Sequence, residues 1–330
     1  MIKNKVIVGL VLVCFLLMGN LSVQAANDQV LVIHSYHQGY SWVDNINKGI
    51  KSSLSDVGVE LEFFYMDTKR NTSQEWMKKQ GQEAVNKIKQ LKPEVVILAD
   101  DNAQKFVGKK LVNTQYNLVF CGVNGWAKDY NYPGNNVTGI LERPHIVQSL
   151  QLLNNNVSGI EQVALLTDDS PTATAAVNYA KERLSEVDLE VKIIRESYID
   201  EWKATVKKLN QKFDAVMFYT YGTIKKEKRG ESLPNQKVGN WTMQQLQLPS
   251  VGLLDWNFTH GAMLGIVESG EEHGYEAGQR AKKIIKGTKP TEIPISTAKE
   301  GKIIVNVQTI ERLGVDVNYD IIDLADEIIE

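Results

Sequence analysis

The chain has 330 residues, 43% of them hydrophobic and 23% charged, with a formal net charge of -3. That is the balance of a globular protein long enough for two ordinary domains, not of a disordered or low-complexity chain. No basic tract stands out, so the charge gives no support to nucleic-acid binding.

Lys3 and Lys5 precede the apolar run Val6–Met18, and Val23-Gln24-Ala25-Ala26 then supplies small residues where a signal peptidase cuts. Residues 1–25 are therefore expected to be a signal peptide, cleaved after Ala25, that exports the protein to the periplasm or another extracytoplasmic space. An uncleaved N-terminal anchor is the alternative. Val11-Leu12-Val13 offers no small residue ahead of Cys14, which argues against a lipid anchor there. Cys121 is then the one cysteine of the mature chain, and an intramolecular disulfide is impossible.

From Asp28 onward, short apolar runs alternate with amphipathic segments. Val30–Ile33, Leu61–Tyr65, Val95–Ala99 and Leu118–Cys121 are predicted strands, rich in β-branched and aromatic residues. Between them, Ser41–Val57 is a predicted helix, capped by Ser41, with Val43, Ile46, Ile50, Leu54 and Val57 on one apolar face. A second helix runs from about Thr72, with Glu75 completing a capping pair, to Pro93. A short helix is predicted around Ala103–Leu111. Strand and helix alternating in this way imply a parallel sheet covered on both faces.

The turn-rich Tyr132-Pro133-Gly134-Asn135-Asn136 interrupts the rhythm, and Val137–Ile140 follows it. Pro144 is expected to open a helix through Leu153. Gln162–Leu166, Leu189–Ile194, Ala215–Tyr219 and Ser250–Leu254 are the strands of a second unit. Ser170-Pro171 starts one of its helices, with proline at the first helical position, and Asp200–Leu209 forms the next. Ala262–Val267, a helix around Glu272–Lys286 and Ile303–Val307 are too short for a third domain, so they complete the two sheets. The fold class is α/β, and the expected division is 28–144 plus about 261–288 in lobe 1, and 145–260 plus about 289–330 in lobe 2.

In such sheets ligands bind beyond the carboxyl ends of the strands. The first strand exits into His34-Ser35-Tyr36-His37-Gln38-Gly39-Tyr40-Ser41-Trp42, a loop of aromatic and hydrogen-bonding groups. Tyr36 and Tyr40 lie in it, and Trp42, Trp126 and Trp256 all fall at strand exits, where a ring can stack on a flat ligand. Each also has packing in the core or hinge as an alternative. Trp241 is placed at the start of a further helix, facing the cleft or packed beside it. The first turns of the helices after Ser41 and Ser170 offer free N–H groups to an anion, which is compatible with plain capping.

Tests for chemistry fail. His34 and His37 have no Cys or His partners at metal-ligand spacing, so no metal site is expected. No GxSxG elbow, P-loop or dinucleotide fingerprint is present, no cofactor is implied, and Cys121 closes an apolar run as packing. Asp100 and Asp101 are adjacent, so in extended backbone their carboxyl groups would point apart.

Several segments together carry a resemblance: the His34–Trp42 loop followed by Gly49-Ile50, Ile97–Ala103, Leu118–Asn124 leading to Pro133–Ile140, Gly274–Ala281 running to Gly287, Pro290 and Pro294, and finally Ile304-Val305-Asn306 with Leu313-Gly314. Over nearly all of 28–320 the chain resembles substrate-binding proteins of ABC transporters with the type I periplasmic-binding-protein fold, notably the tryptophan/tyrosine-type subgroup and related extracytoplasmic sensor domains. The resemblance implies two Rossmann-like lobes with parallel-sheet cores, three crossovers and hinge closure of a cleft on a small polar organic ligand. It implies ligand-facing positions at Ser35, Asp101, Asn124, Ser170, Tyr221 and Asp255. An ABC permease is the implied partner; a separate membrane sensor kinase is the alternative, and a cleft enzyme a third. The first loop departs from the tryptophan/tyrosine group in its His34, Tyr36, Tyr40 and Trp42, which are closer to the sensor-associated relatives.

Overall fold

The computed structural model describes residues 29–330. The expected signal peptide and Cys14 lie outside the described residues. Two sheets form the framework. Strands β1 (Gln29–His34), β2 (Glu60–Tyr65), β3 (Val95–Ala99), β4 (Asn117–Val123) and β5 (Val137–Leu141) join the two-residue β11 (Ser296–Thr297) in the order β11-β5-β4-β3-β1-β2. Every pairing in this sheet is parallel. The second sheet combines β6 (Gln162–Asp168), β7 (Glu190–Glu196), β8 (Ala215–Phe218), β9 (Ser250–Gly252), β10 (Leu264–Val267), β12 (Lys302–Asn306) and β13 (Glu327–Ile329). Its order is β13-β12-β10-β9-β8-β6-β7, parallel except where β10 meets β12.

The burial pattern explains why these runs are almost wholly apolar. Val30 and Val32 face a layer containing Ile46, Ile50, Ala277 and Ala281, while Leu31 and Ile33 face Ala84, Ile88 and Phe106. The first layer comes from helices α1 (Ser41–Leu54) and α9 (Gly270–Ile285). The second comes from α2 (Gln74–Leu91) and from Asp100–Ala103 (α3), which continues through a π turn at Gln104–Gly108. A strand covered on both faces needs hydrophobic residues at every position. In the second sheet, Val163 and Leu165 meet α4 (Ile146–Asn156) and α5 (Pro171–Lys181). Ala164 and Leu166 meet Trp202 and Val206 of α6 (Ile199–Lys212).

Helices α1 and α9 cross at very short range because both carry glycine at the contact. A Cβ on Gly49 would overlap the Glu271 carbonyl, and one on Gly274 would overlap that of Ile46. Gly278 meets Ser53 in the same way, a Cβ there falling 2.7 Å from the serine Cβ. The glycines of the late sequence segment are thus a packing device that draws a C-terminal helix onto the first lobe.

Among the described residues the chain crosses between sheets three times, at 142–145, 268–269 and 298–301. The expected lobe boundaries shift accordingly: Leu264–Val267 is an interior strand of the second sheet, α9 returns to the first, and Ser296–Thr297 follows it there by pairing with β5. An apolar hexapeptide carries no label for the sheet it joins, and a two-residue strand is too short to show periodicity.

Helix starts also move. Ser73, not Thr72, caps α2, its side chain accepting from Trp76 N. The helix expected at Ala103 starts at Asp100, and the one expected at Pro144 starts at Ile146. Ser170 caps α5 as expected, accepting from Ala173 N at 3.1 Å. No helix among the described residues is long and apolar enough to cross a membrane.

Candidate ligand-binding cleft

A cavity of about 620 Å³ opens between the two lobes. The first lobe contributes Tyr36, Tyr40, Trp42, Asp100 and Asn124, and the second contributes Leu254, Asp255 and Trp256. Glu142 and Glu268, on two of the three crossings, complete its floor. A smaller cavity of about 280 Å³ shares Asn124 and Glu142 and is bounded by Asp101, Arg143, Pro171 and Tyr219. The two spaces meet at Asn124 and Glu142, so the cleft runs past the carboxyl ends of both sheets.

The loop after β1 divides into a buried base and an open wall. His34 is fully buried, stacked 5.4 Å from Tyr65, with Nε2 2.8 Å from Asn47 Oδ1. Burial outweighs that bond and lowers its pKa to about 4, so the imidazole is neutral. Ser35 is also buried: Oγ donates to Ala99 O at 2.8 Å and accepts from Ala103 N at 2.8 Å. This hydroxyl ties β1 to the exit of β3 and has no free hydrogen for a ligand.

Tyr36 and Tyr40 form the wall, edge to face at 5.8 Å. Lys69 Nζ lies 4.9 and 4.4 Å from their ring centroids and donates to Tyr40 Oη at 3.0 Å. Ser41 does not cap α1 through its side chain: Tyr40 takes the cap position, and the Asp44 carboxylate accepts from Gly39 N at 3.2 Å. A carboxylate within the first turn reaches back over the loop and makes the capping hydroxyl unnecessary.

The adjacent aspartates part, though from a helix start rather than extended backbone. Asp100 is 3% exposed and holds a positive φ of 65°, a conformation that aspartate tolerates better than most residues. Its Oδ1 accepts from Trp42 Nε1 at 2.8 Å, whereas Oδ2 has no partner among the described residues. Burial, opposed by the Trp42 bond, raises its pKa well above the ordinary carboxylate range. Asp101 turns the other way and accepts from Asn124 N (3.2 Å), Gly125 N (2.8 Å) and Tyr130 Oη (2.6 Å). It shapes the loop after β4 and places Asn124 at the junction of the two cavities. Trp126 in that loop is 39% exposed, covered by the Arg143 guanidinium 5.1 Å from its ring, and lines neither cavity.

On the second lobe, Ser170 is buried as a cap, and its neighbours Pro171 and Thr172 border the smaller cavity. Tyr221 is fully buried among Trp202 and Phe218, its hydroxyl 2.7 Å from His260 Nδ1. It stands behind Trp256 at 4.4 Å, ring edge to face, and so buttresses the residue that faces the cleft. Asp255 and Trp256 open the short helix α8 (Asp255–Thr259) and both line the larger cavity. Burial raises the Asp255 pKa, with Lys302 acting in the opposite sense. Trp241, inside helix α7 (Asn235–Gln245) rather than at its start, packs beside the second lobe's core with Lys203 over its ring and lines neither cavity.

Sequence reasoning missed the charged residues of the crossings. Glu142 is raised to about 7 by burial and by Glu268, with His273 pulling the other way. Glu268 accepts from Arg143 N at 3.2 Å and meets His273 Nε2 at 2.8 Å and His145 Nε2 at 3.5 Å. Glu272 receives the backbone N–H groups of Lys299, Glu300 and Gly301, which binds the third crossing to α9. The signal was Leu141-Glu142-Arg143-Pro144-His145, where ionisable residues sit directly between an apolar strand and an apolar helix.

A family model for ABC transporter substrate-binding proteins matches residues 36–329. No curated protein sequence matches the chain. Among solved structures, an ABC domain in complex with L-Trp from Streptococcus pneumonia is 17% identical, with TM-score 0.60 over 92% of this chain and 100% of that one. The ligand-free, open structure of a substrate-binding protein with adhesive properties from Clostridium difficile is 14% identical, with TM-score 0.69 over 92% and 99%. These likenesses show the type I periplasmic-binding-protein fold. With its two parallel-dominated sheets, triple crossing and inter-lobe cavity, this chain belongs to the family of ABC transporter substrate-binding proteins.

Proposed function

We propose that the protein works outside the cytoplasm, taking a small polar organic solute into the inter-lobe cleft and presenting it to an ABC permease. The observation that carries this reading is the 620 Å³ cavity whose walls come from both lobes, the size and placement of a small-molecule site that hinge closure can seal. Tyr36, Tyr40, Trp42, Asn124, Asp255 and Trp256 are the groups assigned to ligand contact. Ser35, Asp101, Ser170 and Tyr221 act one step behind them, holding the loops and the Trp256 ring in place. The three crossings, laced by Glu268 and Glu272, form the hinge. No turnover is assigned to the cleft.

Native mass spectrometry of freshly purified protein, followed by a thermal-shift screen that starts from L-Trp because a related domain binds it, tests the proposal. The expected result is one ligand per chain and a melting temperature that climbs with ligand concentration beyond the dissociation constant. Conversion of the bound molecule to product would overturn it.

A further inference from the structure

The geometry points to an organic ammonium ion as the ligand class of this cleft, its nitrogen seated between the Asp100 and Glu142 carboxyl groups and its carbon skeleton against Tyr36, Tyr40 and Trp256. The inference rests on the solute-binding reading above and names the chemistry of that solute.

The first observation is an orphaned acceptor. Asp100 is buried, borders the cavity, and its Oδ2 has no hydrogen-bond partner among the described residues. A buried carboxyl oxygen left unmatched is costly, and each such group in a native protein has a reason, a bound ion or ligand group among them.

The second is a charge imbalance. Asp100, Glu142 and Asp255 all line the larger cavity, from the first lobe, the first crossing and the second lobe. None of the three forms an ion pair among the described residues. The nearby cations are already engaged. Arg143 donates to the carbonyls of Val123, Asn124, Glu142 and Gly125, His273 is matched by Glu268, and Lys302 is paired with Glu327. Asp101 has three donors of its own. Among the described residues, three unpaired acids of the lining thus stand against one unpaired cation, Lys69, which is held on the Tyr36 and Tyr40 rings.

The third is the Tyr36–Tyr40 wall, where the Lys69 ammonium already lies within 4.9 Å of both ring centroids. These faces hold an alkylammonium now, and a cation held over a π face is attracted to its quadrupole. A ligand cation held by Asp100 and Glu142, with its skeleton on Trp256 of the second lobe, would also draw the lobes together. A carboxylate on the ligand would instead meet the same unpaired acids.

The groups facing Glu142 are the acids Asp100, Asp101 and Glu268, the bases His273 and Arg143, and the neutral phenols Tyr36 and Tyr219. An ammonium favours the ionised carboxyl, so binding expels a proton. Affinity therefore rises between pH 6 and 8, through the Glu142 pKa of about 7. Alkylammonium probes keep their charge over that range, with pKa about 10.

The test uses two matched series by isothermal titration: tryptamine, L-tryptophan and indole-3-propionate, then tyramine, L-tyrosine and 3-(4-hydroxyphenyl)propionate. At least one amine is expected to bind about tenfold or more tighter than its zwitterion and its acid, releasing protons in buffers of differing ionisation enthalpy. Glu142→Gln is expected to weaken that amine about tenfold and flatten its pH dependence, and Asp100→Asn, which preserves an acceptor for Trp42, to weaken it without unfolding the protein. Equal binding across a series, preference for the zwitterion or acid, or no binding by either amine overturns the ammonium assignment, and any cleft ligand then found leaves the solute-binding reading standing. A protein that carries no ligand in native mass spectrometry and responds to no member of a broad solute panel loses the solute-binding reading itself.

Discussion

Trp42 Nε1 donates to Asp100 Oδ1 at 2.8 Å, joining the first turn of α1 to the residue that follows β3. The same indole lies 5.7 Å from the His273 ring of α9, so one side chain ties the cleft wall to two elements of the first lobe. Trp42→Phe preserves much of the ring and removes the donor, leaving both oxygens of a buried carboxyl unmatched. Stability is expected to fall by about 1–3 kcal/mol, read as a lower urea midpoint at unchanged slope. In the double variant with Asp100→Gly, which removes the acceptor and suits the positive φ of this position, the two costs are expected to be less than additive. Strict additivity would show that the bond is of no energetic consequence.

The α1–α9 crossing depends on glycine at Gly274, where a Cβ would collide with the backbone of Ile46 rather than with a movable side chain. Gly274→Ala is therefore expected to destabilise the protein by about 2–4 kcal/mol, despite the better helix propensity of alanine. Thermal unfolding of the two proteins decides the sign. An unchanged or higher Tm would mean the helices can part without cost.

His34 gives the fold a pH dependence. Its pKa is about 4 in the folded chain and near 6.5 when exposed, so between these values the unfolded chain binds the extra proton. The contribution is complete above pH 6.5 and is lost as the pH falls toward 4, a change of about 3 kcal/mol over the whole window. Comparing wild type with His34→Phe in urea at pH 7.5 and pH 4.5, the stability of wild type minus that of the variant should be smaller at the lower pH. A gap that stays constant would place the His34 titration elsewhere.

Lys69 is an exposed cation resting on the two tyrosine rings that the ammonium ligand is assigned to use. Lys69→Met removes this tethered competitor and its repulsion while retaining a flexible apolar stem. Tryptamine or tyramine is expected to bind about three- to tenfold tighter to the variant, with stability within about 0.5 kcal/mol of wild type. Weaker binding of the amine would make Lys69 a ligand contact in its own right.

The strands of the first sheet were legible because burial on both faces demands long β-branched runs, and Val30–Ile33 and Val95–Ala99 carry that demand in their composition. Ser170-Pro171 was legible as a helix start for a local reason, since cap and proline act within one turn. Strand-exit loops followed from topology, and Tyr36, Tyr40, Asn124, Asp255 and Trp256 do border the larger cavity. The sequence by itself thus determined the alternation of elements, the parallel two-lobed class and the loops in which a site is built.

Only the tertiary structure decided which residues within those loops are turned inward. Ser35 and Tyr221 look as suited to a ligand as Tyr36 and Trp256, yet one is held by the Ala99 carbonyl and the other by His260. Nothing local distinguishes them, because their partners lie 64 and 39 residues away. The same holds for Asp100 and Asp101, neighbours in sequence whose carboxyl groups serve Trp42 and the Asn124 loop. The charge of the cleft belongs to the same class of fact. Glu142, Glu268 and His273 meet only where the chain crosses between lobes, so whether an acid is paired or left open to a cation is fixed by long-range packing.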